Sequence, residues 1–187
     1  GESLLTRLLK SLGEIGVNDA AVVINPKHDD IRYRFAQGSE AKIPSVTVLE
    51  QTEGHGVGHG VLTAKDYIDE NDYFMLVYGD IMFSGNMFSS LLNSFNSLRR
   101  PVAAVSLTGD SSDFGVIYMD SEMKISRIIE KPKQRKLGNY VLAGAFILPG
   151  SMMPILESHQ GNMIEAITSQ LESLPLYASI WEDDWID

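Results

Sequence analysis

The chain has 187 residues, with 25 Asp plus Glu against 15 Lys plus Arg and 44% apolar or aromatic residues, which together describe one domain able to bury a core. A net charge of -10 excludes charge-driven capture of nucleic acid or an anionic membrane, since both need Lys and Arg to displace counterions, so a phosphate-bearing ligand has to be held locally and with a metal. Zero cysteines exclude a disulfide scaffold, a thiolate zinc site and a Cys nucleophile, and with neither a signal-peptide pattern nor an apolar run near ~18 residues the expected setting is a cytoplasmic enzyme or binding domain.

Leu4, Leu5, Leu8, Leu9, Leu12 and Ile15 recur at helical spacing behind Ser3, and Gly13 and Gly16 end the pattern, so the chain is expected to open in a helix. Ala20 to Ile24 and Ser45 to Leu49 are short β-branched runs that read as buried strands. Past Gly54 to Gly60, the residues Val61, Leu62, Ala64 and Ile68 suggest a helix, followed by an apolar strand from Tyr73 to Tyr78. Met87, Phe88, Leu91, Leu92, Phe95 and Leu98 mark a second amphipathic helix, and Pro101 introduces a strand from Val102 to Leu107. After Asp113 the texture changes to strands around Gly115 to Met119, Ile125 to Glu130 and Tyr140 to Leu148, joined by short turns, and these imply a mixed sheet. A helix over Asn162 to Leu174 and an extended segment from Leu176 to Ile180 complete a three-layer α/β alternation. A doubly wound sheet normally begins with its central strand, so a chain that starts on a helix and stops at Asp187 is expected to be truncated at both ends.

Three segments carry candidate chemistry. Gln51 to Gly60 lies between a strand and a helix, and its glycines let backbone N–H groups approach a phosphate or a base edge; the same stretch equally reads as a turn needing positive φ. It matches neither the dinucleotide fingerprint nor Walker A. His55 and His59 have the spacing of a two-His zinc site, but the glycines around them argue against the stable helix such a site needs.

Asp80, behind Gly79, stands at the carboxyl end of an apolar strand, where a divalent ion bridging to nucleotide phosphates is held in open α/β sheets. By itself it reads more readily as a strand-ending Asx turn or a helix cap, and a second carboxylate is needed to reverse that. Asp187 behind Trp185 and Ile186 is the candidate, whereas Asp183 and Asp184 read as a solvated turn. In Glu130-Lys131-Pro132 the proline forces the chain out of its ladder, leaving Lys131 to meet a phosphate and Glu130 to accept from hydroxyls. The other reading is a surface ion pair, which the neighbouring Lys133, Arg135 and Lys136 favour. Gly115 and Gly144 interrupt strands, as bulges and close ligand approaches do.

Taken in order, Gln51 with Gly56-Val-Gly-His-Gly, Tyr78-Gly-Asp80, Phe114-Gly-Val-Ile, Glu130-Lys-Pro132, the Gly144 strand and Trp185-Ile-Asp187 resemble the sugar-1-phosphate nucleotidyltransferases, the pyrophosphorylases that make NDP-sugars. The resemblance covers nearly the whole chain. The Gln51 to Phe83 stretch is particularly similar to N-acetylglucosamine-1-phosphate uridylyltransferases, and glucose-1-phosphate thymidylyl- and uridylyltransferases share the pattern. It implies a Rossmann-like, GT-A-like α/β domain with a mixed, mostly parallel central sheet over residues 1–187. It also implies transfer of a uridylyl or thymidylyl group from an NTP to glucose-1-phosphate or N-acetylglucosamine-1-phosphate, releasing pyrophosphate. Under it, Gln51, Gly56 and Gly79 meet the nucleotide, Asp80 and Asp187 hold Mg2+, Gly115, Glu130 and Gly144 contact the sugar, and Lys131 lies near its phosphate. Asp80, Lys131 and Asp187 are then the catalytic set, and a homo-oligomer is expected. Members of the family begin with a strand and a glycine-rich loop that grips the triphosphate. No such segment lies before Gly1, so a noncatalytic sugar-nucleotide-binding regulatory or assembly domain of the same fold is the alternative.

Overall fold

The computed structural model describes residues 2–36, 43–108, 112–132 and 140–186. Helix α1 (Leu4–Glu14) starts where Ser3 caps it, the Ser3 hydroxyl accepting from the Thr6 N–H, and it buries Leu8 and Leu9. Strand β1 (Asp19–Ile24), helix α2 (Asp29–Ala36) and strand β2 (Ser45–Glu50) form a parallel unit, with Asp19 opposite Ser45 and Ile24 opposite Glu50. Then come α3 (Gly56–Thr63), β3 (Tyr73–Val77), the short β4 (Met82–Phe83), α4 (Met87–Leu98) and β5 (Val102–Leu107). Strands β6 (Gly115–Met119), β7 (Ile125–Glu130) and the long β8 (Tyr140–Pro149) follow, and α5 (Met153–Ser158), α6 (Met163–Gln170), β9 (Tyr177–Trp181) and β10 (Trp185–Ile186) end the chain. Sequence reading left α2, α5, β4 and β10 unassigned and started α3 at Val61, five residues late.

The main sheet has six strands in the order β7-β6-β8-β5-β9, with β3 also on β8. Period-two burial sends alternate side chains to opposite faces. Val102, Ala104, Ala143, Ala145 and Ile147 pack with Leu8 of α1 and with Met87, Phe88 and Leu91 of α4. Ala103, Val105, Leu142, Phe146 and Leu148 pack with Val61 of α3, Leu156 of α5 and Met163 and Ile167 of α6. The three-layer expectation holds. The expectation of a mostly parallel sheet does not: β8 runs antiparallel to β3, β5 and β6, β6 to β7, and only β5 with β9 is parallel in this sheet. The physical reason is connection length. A parallel pair needs a crossover of about a dozen residues or more, and the Asp120 to Lys124 turn between β6 and β7 permits only a hairpin.

One irregularity organises the sheet. Along β8 the register with β5 jumps from Phe146 opposite Ala103 to Leu142 opposite Val105, and inside the jump Gly144 takes φ of +76°. On its other edge β8 pairs β3 through Ala145 opposite Val77, then β6 through Val141 opposite Val116. The changeover occurs at Gly144. Ladder groups freed there find new partners: the Tyr78 N–H donates to the Gly144 carbonyl at 2.8 Å, and the Trp185 indole N–H donates to the Ala143 carbonyl at 3.1 Å. Strand β10 reaches this point by pairing antiparallel with β4, Trp185 opposite Phe83 and Ile186 opposite Met82. Among the described residues no helix is long and apolar enough to cross a membrane.

A Cβ at Gly144 would lie 2.7 Å from Ile81 Cγ2 and 3.2 Å from Tyr78 Cδ2, on a backbone that disfavours any side chain. Gly144→Ala is therefore expected to lose about 2–4 kcal/mol of stability, from strain and overpacking together. Urea denaturation checks this, and a loss under about 0.5 kcal/mol would show that the bulge relaxes without cost.

Candidate active site

The Gly-rich segment leaves β2 at Gln51, whose N–H still donates to the Ile24 carbonyl at 2.9 Å and so keeps the residue in line with the strand pair. Its side chain turns back on the loop: Nε2 donates to the carbonyls of Gly54 and Gly56 at 3.4 and 3.3 Å. With an oxygen in that position the amide would be repelled, so the two carbonyls fix its orientation and leave Oε1 as an acceptor beside Gly60. Gly56 takes φ of +80° with open space where a Cβ would stand, and α3 begins there with exposed N–H groups and no side-chain cap. The helix therefore starts inside the glycine run. His55 and His59 fall at its first turn, and no group of three or more metal-ligating side chains occurs among the described residues.

Across the molecule, Gly115 at the start of β6 sits opposite Glu130 at the end of β7. A Cβ on Gly115 would lie 3.1 Å from Glu130 Oε2 and 3.1 Å from Leu142 Cδ1, so glycine is what lets the carboxylate fold over the strand. Although Glu130 is open to solvent along one side, this packing strips water from its carboxyl and raises its pKa from the usual carboxylate value; Lys131 opposes the rise and is outweighed. Lys131 takes a positive φ of 41°, sparsely populated for a residue with a side chain, and its N–H donates to the Phe114 carbonyl at 3.1 Å. The Glu130-Lys131 corner is thereby bent out of the ladder and tied to β6, as the following Pro132 implied.

Tyr78 hands the chain from β3 to Gly79 and Asp80, both exposed, and a Cβ at Gly79 would meet nothing within 4 Å. Asp80 makes no ion pair among the described residues. An exposed, unengaged carboxylate at a strand's carboxyl end suits Mg2+, which keeps waters and takes one or two carboxylates plus substrate phosphates rather than a full protein cage. Asp187 lies outside the described residues, as do Lys133, Arg135 and Lys136. Strand β10 nonetheless carries the backbone to Ile186, opposite Met82 and two residues beyond Asp80. Asp183 and Asp184 are exposed in a turn where the Asp184 carbonyl accepts from the Ser84 N–H at 3.0 Å.

By register, Gly115, Glu130 and Lys131 lie on one side of the β8 changeover at Gly144, and Gly79 and Asp80 follow β3 on the other, while Gln51 and Gly56 form a second group at the start of α3. Sequence reasoning missed Tyr78 and Trp185 as members. Trp185 packs its ring 5.2 Å from that of Phe114 and holds the Ala143 carbonyl, so it walls the same opening. Its place in Trp185-Ile-Asp187 was the available signal.

The family model described as nucleotidyl transferase matches residues 1–187. The bifunctional protein GlmU of Methanocaldococcus jannaschii is 28% identical over 157 residues, covering 84% of this chain and 35% of that protein. Glucose-1-phosphate thymidylyltransferase of Streptomyces antibioticus is 27% identical over 140 residues, covering 74% of this chain and 38% of that protein. The chain thus spans well under half the length of these two curated relatives. Among solved structures, UTP-bound UGPase from Acinetobacter baumannii superposes with a TM-score of 0.82 at 19% identity, over 100% of this chain and 77% of that one, which shows the shared fold.

The raised pKa of Glu130 has a consequence for stability. Its folded value lies above its unfolded value, so the folded state holds the proton more tightly, and stability falls as pH rises through the interval between them. Glu130→Gln, which carries no charge, is expected to be more stable than the parent at about pH 7 and to converge with it below about pH 4. Denaturation midpoints at both pH values check the sign; a variant less stable at neutral pH would show that Lys131 outweighs desolvation.

Proposed function

The chain belongs to the nucleotidyl transferase family, and from that premise we propose that it carries the site of a sugar-1-phosphate nucleotidyltransferase, joining UTP or dTTP to glucose-1-phosphate or N-acetylglucosamine-1-phosphate. The observation that carries this reading is the divided sheet. At the changeover on β8 the end of β3 leads to an unengaged carboxylate, Asp80, and the start of β6 faces a corner bearing a cation, Lys131, and an acceptor, Glu130.

The chemistry follows from those groups. A phosphate oxygen of the sugar-1-phosphate attacks the α-phosphorus of the NTP, the bond from that phosphorus to the bridging oxygen breaks, and pyrophosphate leaves with the electron pair. Little covalent work falls to the protein, and alignment with charge neutralisation supplies the rate. Lys131 holds the attacking phosphate. Glu130, packed over Gly115, accepts from sugar hydroxyls, and Gly115 and Gly144 meet the sugar through backbone groups only, since Glu130 and Leu142 fill the space over the first and Ile81 and Tyr78 the space over the second. Gln51 offers Oε1 to a base N–H, which the N3–H of uracil and thymine provides, while the Gly56 backbone and open Gly79 leave room for base and phosphates. Asp80 and Asp187 would hold Mg2+, which when bound neutralises charge building on the phosphates. The antiparallel register of β10 on β4, heading toward Asp80 at Ile186, supports pairing those two carboxylates.

Pyrophosphate release from UTP and dTTP with each sugar-1-phosphate, in Mg2+, is expected. The Asp80→Asn, Asp187→Asn double variant is expected to lose turnover by about a thousandfold or more without a fall in melting temperature. Full activity in that variant would overturn the assignment. Tight binding of an NDP-sugar without pyrophosphate release from any pair would assign the noncatalytic reading instead.

A further inference from the structure

The base-reading segment is exposed, lies outside any strand, and contains two glycines of positive φ, Gly54 at +67° and Gly56 at +80°. Something must select one shape for it. The two bonds from Gln51 are long, and the shorter one is supplied by His59, whose Nδ1–H donates to the His55 carbonyl at 2.9 Å. That acceptor requires the proton on Nδ1.

The ring itself is wedged. A Cβ on Gly54 would lie 2.0 Å from His59 Cδ2, and a Cβ on Gly161, in the turn between α5 and α6, would lie 2.6 Å from His59 Nδ1. Both neighbours are therefore stripped to backbone where the imidazole passes between them. The far wall is firm: Gly161 is buried, its N–H donates to the Leu156 carbonyl at 2.9 Å, and its own carbonyl sits where a Cβ of Gly58 would be, at 1.9 Å. One side chain thus ties the exposed loop to a buried turn. Zinc ligation does not explain this arrangement, because His55 contributes its carbonyl and not its ring.

We propose that His59 is a positioning residue that locks the Gln51–Gly56 loop, through its ring between Gly54 and Gly161 and its bond to His55, in the shape that reads the base. The inference rests on the nucleotide reading above for what the loop binds, but not for the lock. It predicts selectivity: removing the ring should free the loop and weaken nucleotide binding, while the sugar phosphate, held by Glu130 and Lys131 at the β8 changeover, keeps its affinity.

The test compares the parent chain with His59→Ala and His59→Asn, the second keeping a donor in the place of Nδ1. Amide order parameters over residues 52–57 in the unliganded protein are expected to fall below about 0.6 in His59→Ala and to fall less in His59→Asn. The dissociation constant for UTP is expected to rise about tenfold in His59→Ala, while that for glucose-1-phosphate moves by less than about twofold. Unchanged order parameters over 52–57 would overturn the lock, and so would equal weakening of both ligands, which marks a general loss of structure. If the order parameters fall as expected but the parent chain binds no UTP, the lock stands and the nucleotide reading fails.

Discussion

A strand edge can satisfy only one partner at each residue, and β8 is asked for on one edge by both β3 and β6. The conflict is resolved at Gly144, where the chain takes a left-handed conformation and the ladder passes from Val77 to Val116. Two carbonyls at this point, those of Gly144 and Ala143, are paired again by the Tyr78 N–H and the Trp185 indole. Those bonds make the gap part of the folded state. It opens where β3 ends and β6 begins, and that alone places Gly79 and Asp80 on one lip and Gly115 on the other. Site and fold share one irregularity.

Charge makes the second constraint. A chain of net charge -10 repels phosphates at long range, so affinity for them has to come from groups at contact distance. The structure concentrates what it has at one bend. Glu130 keeps its carboxyl above the ordinary carboxylate range because packing over Gly115 outweighs the neighbouring Lys131, and Lys131 is turned outward by its positive φ and the Phe114 carbonyl. The strained backbone at Lys131, a conformation that costs on the order of 1–3 kcal/mol, bends the Glu130-Lys131 corner out of the ladder.

Amphipathic spacing announced α1 and α4, because their apolar faces repeat at helical period and bury Leu8, Leu9, Met87, Phe88 and Leu91. Helix α2 was illegible because in Asp29–Ala36 the residues Ile31, Tyr33 and Phe35 alternate with Arg32 and Arg34 instead of recurring at helical spacing, and β4 and β10 because a strand of two residues has no periodicity to show. Strand direction was misread for a related reason. Apolar runs such as Val102–Leu107 report burial on both faces, which central antiparallel strands share with parallel ones. Gly115, Glu130 and Gly144 were legible as interruptions and motif residues, but that Gly115 faces Glu130 while Gly144 marks an edge changeover is a property of register, which only the folded sheet displays.

The early start of α3 shows tertiary structure overruling local preference. Gly56, Gly58 and Gly60 occupy three of its first five positions, and glycine costs about 1 kcal/mol per helix position relative to alanine, so isolated residues 56–60 would not be helical. Two of the three are nevertheless constrained by what stands beside them: Gly58 by the Gly161 carbonyl, and Gly60 by Gln51 Oε1, 3.3 Å from where a Cβ would be. Alanine would favour the helix and forbid its position. What offsets the unfavourable propensity is docking, with Val61 buried in the core and the first turn laid on the α5–α6 corner. The glycines thus trade local helix stability for closeness, and closeness brings the free N–H groups of that first turn and the Gln51 amide to the same few residues.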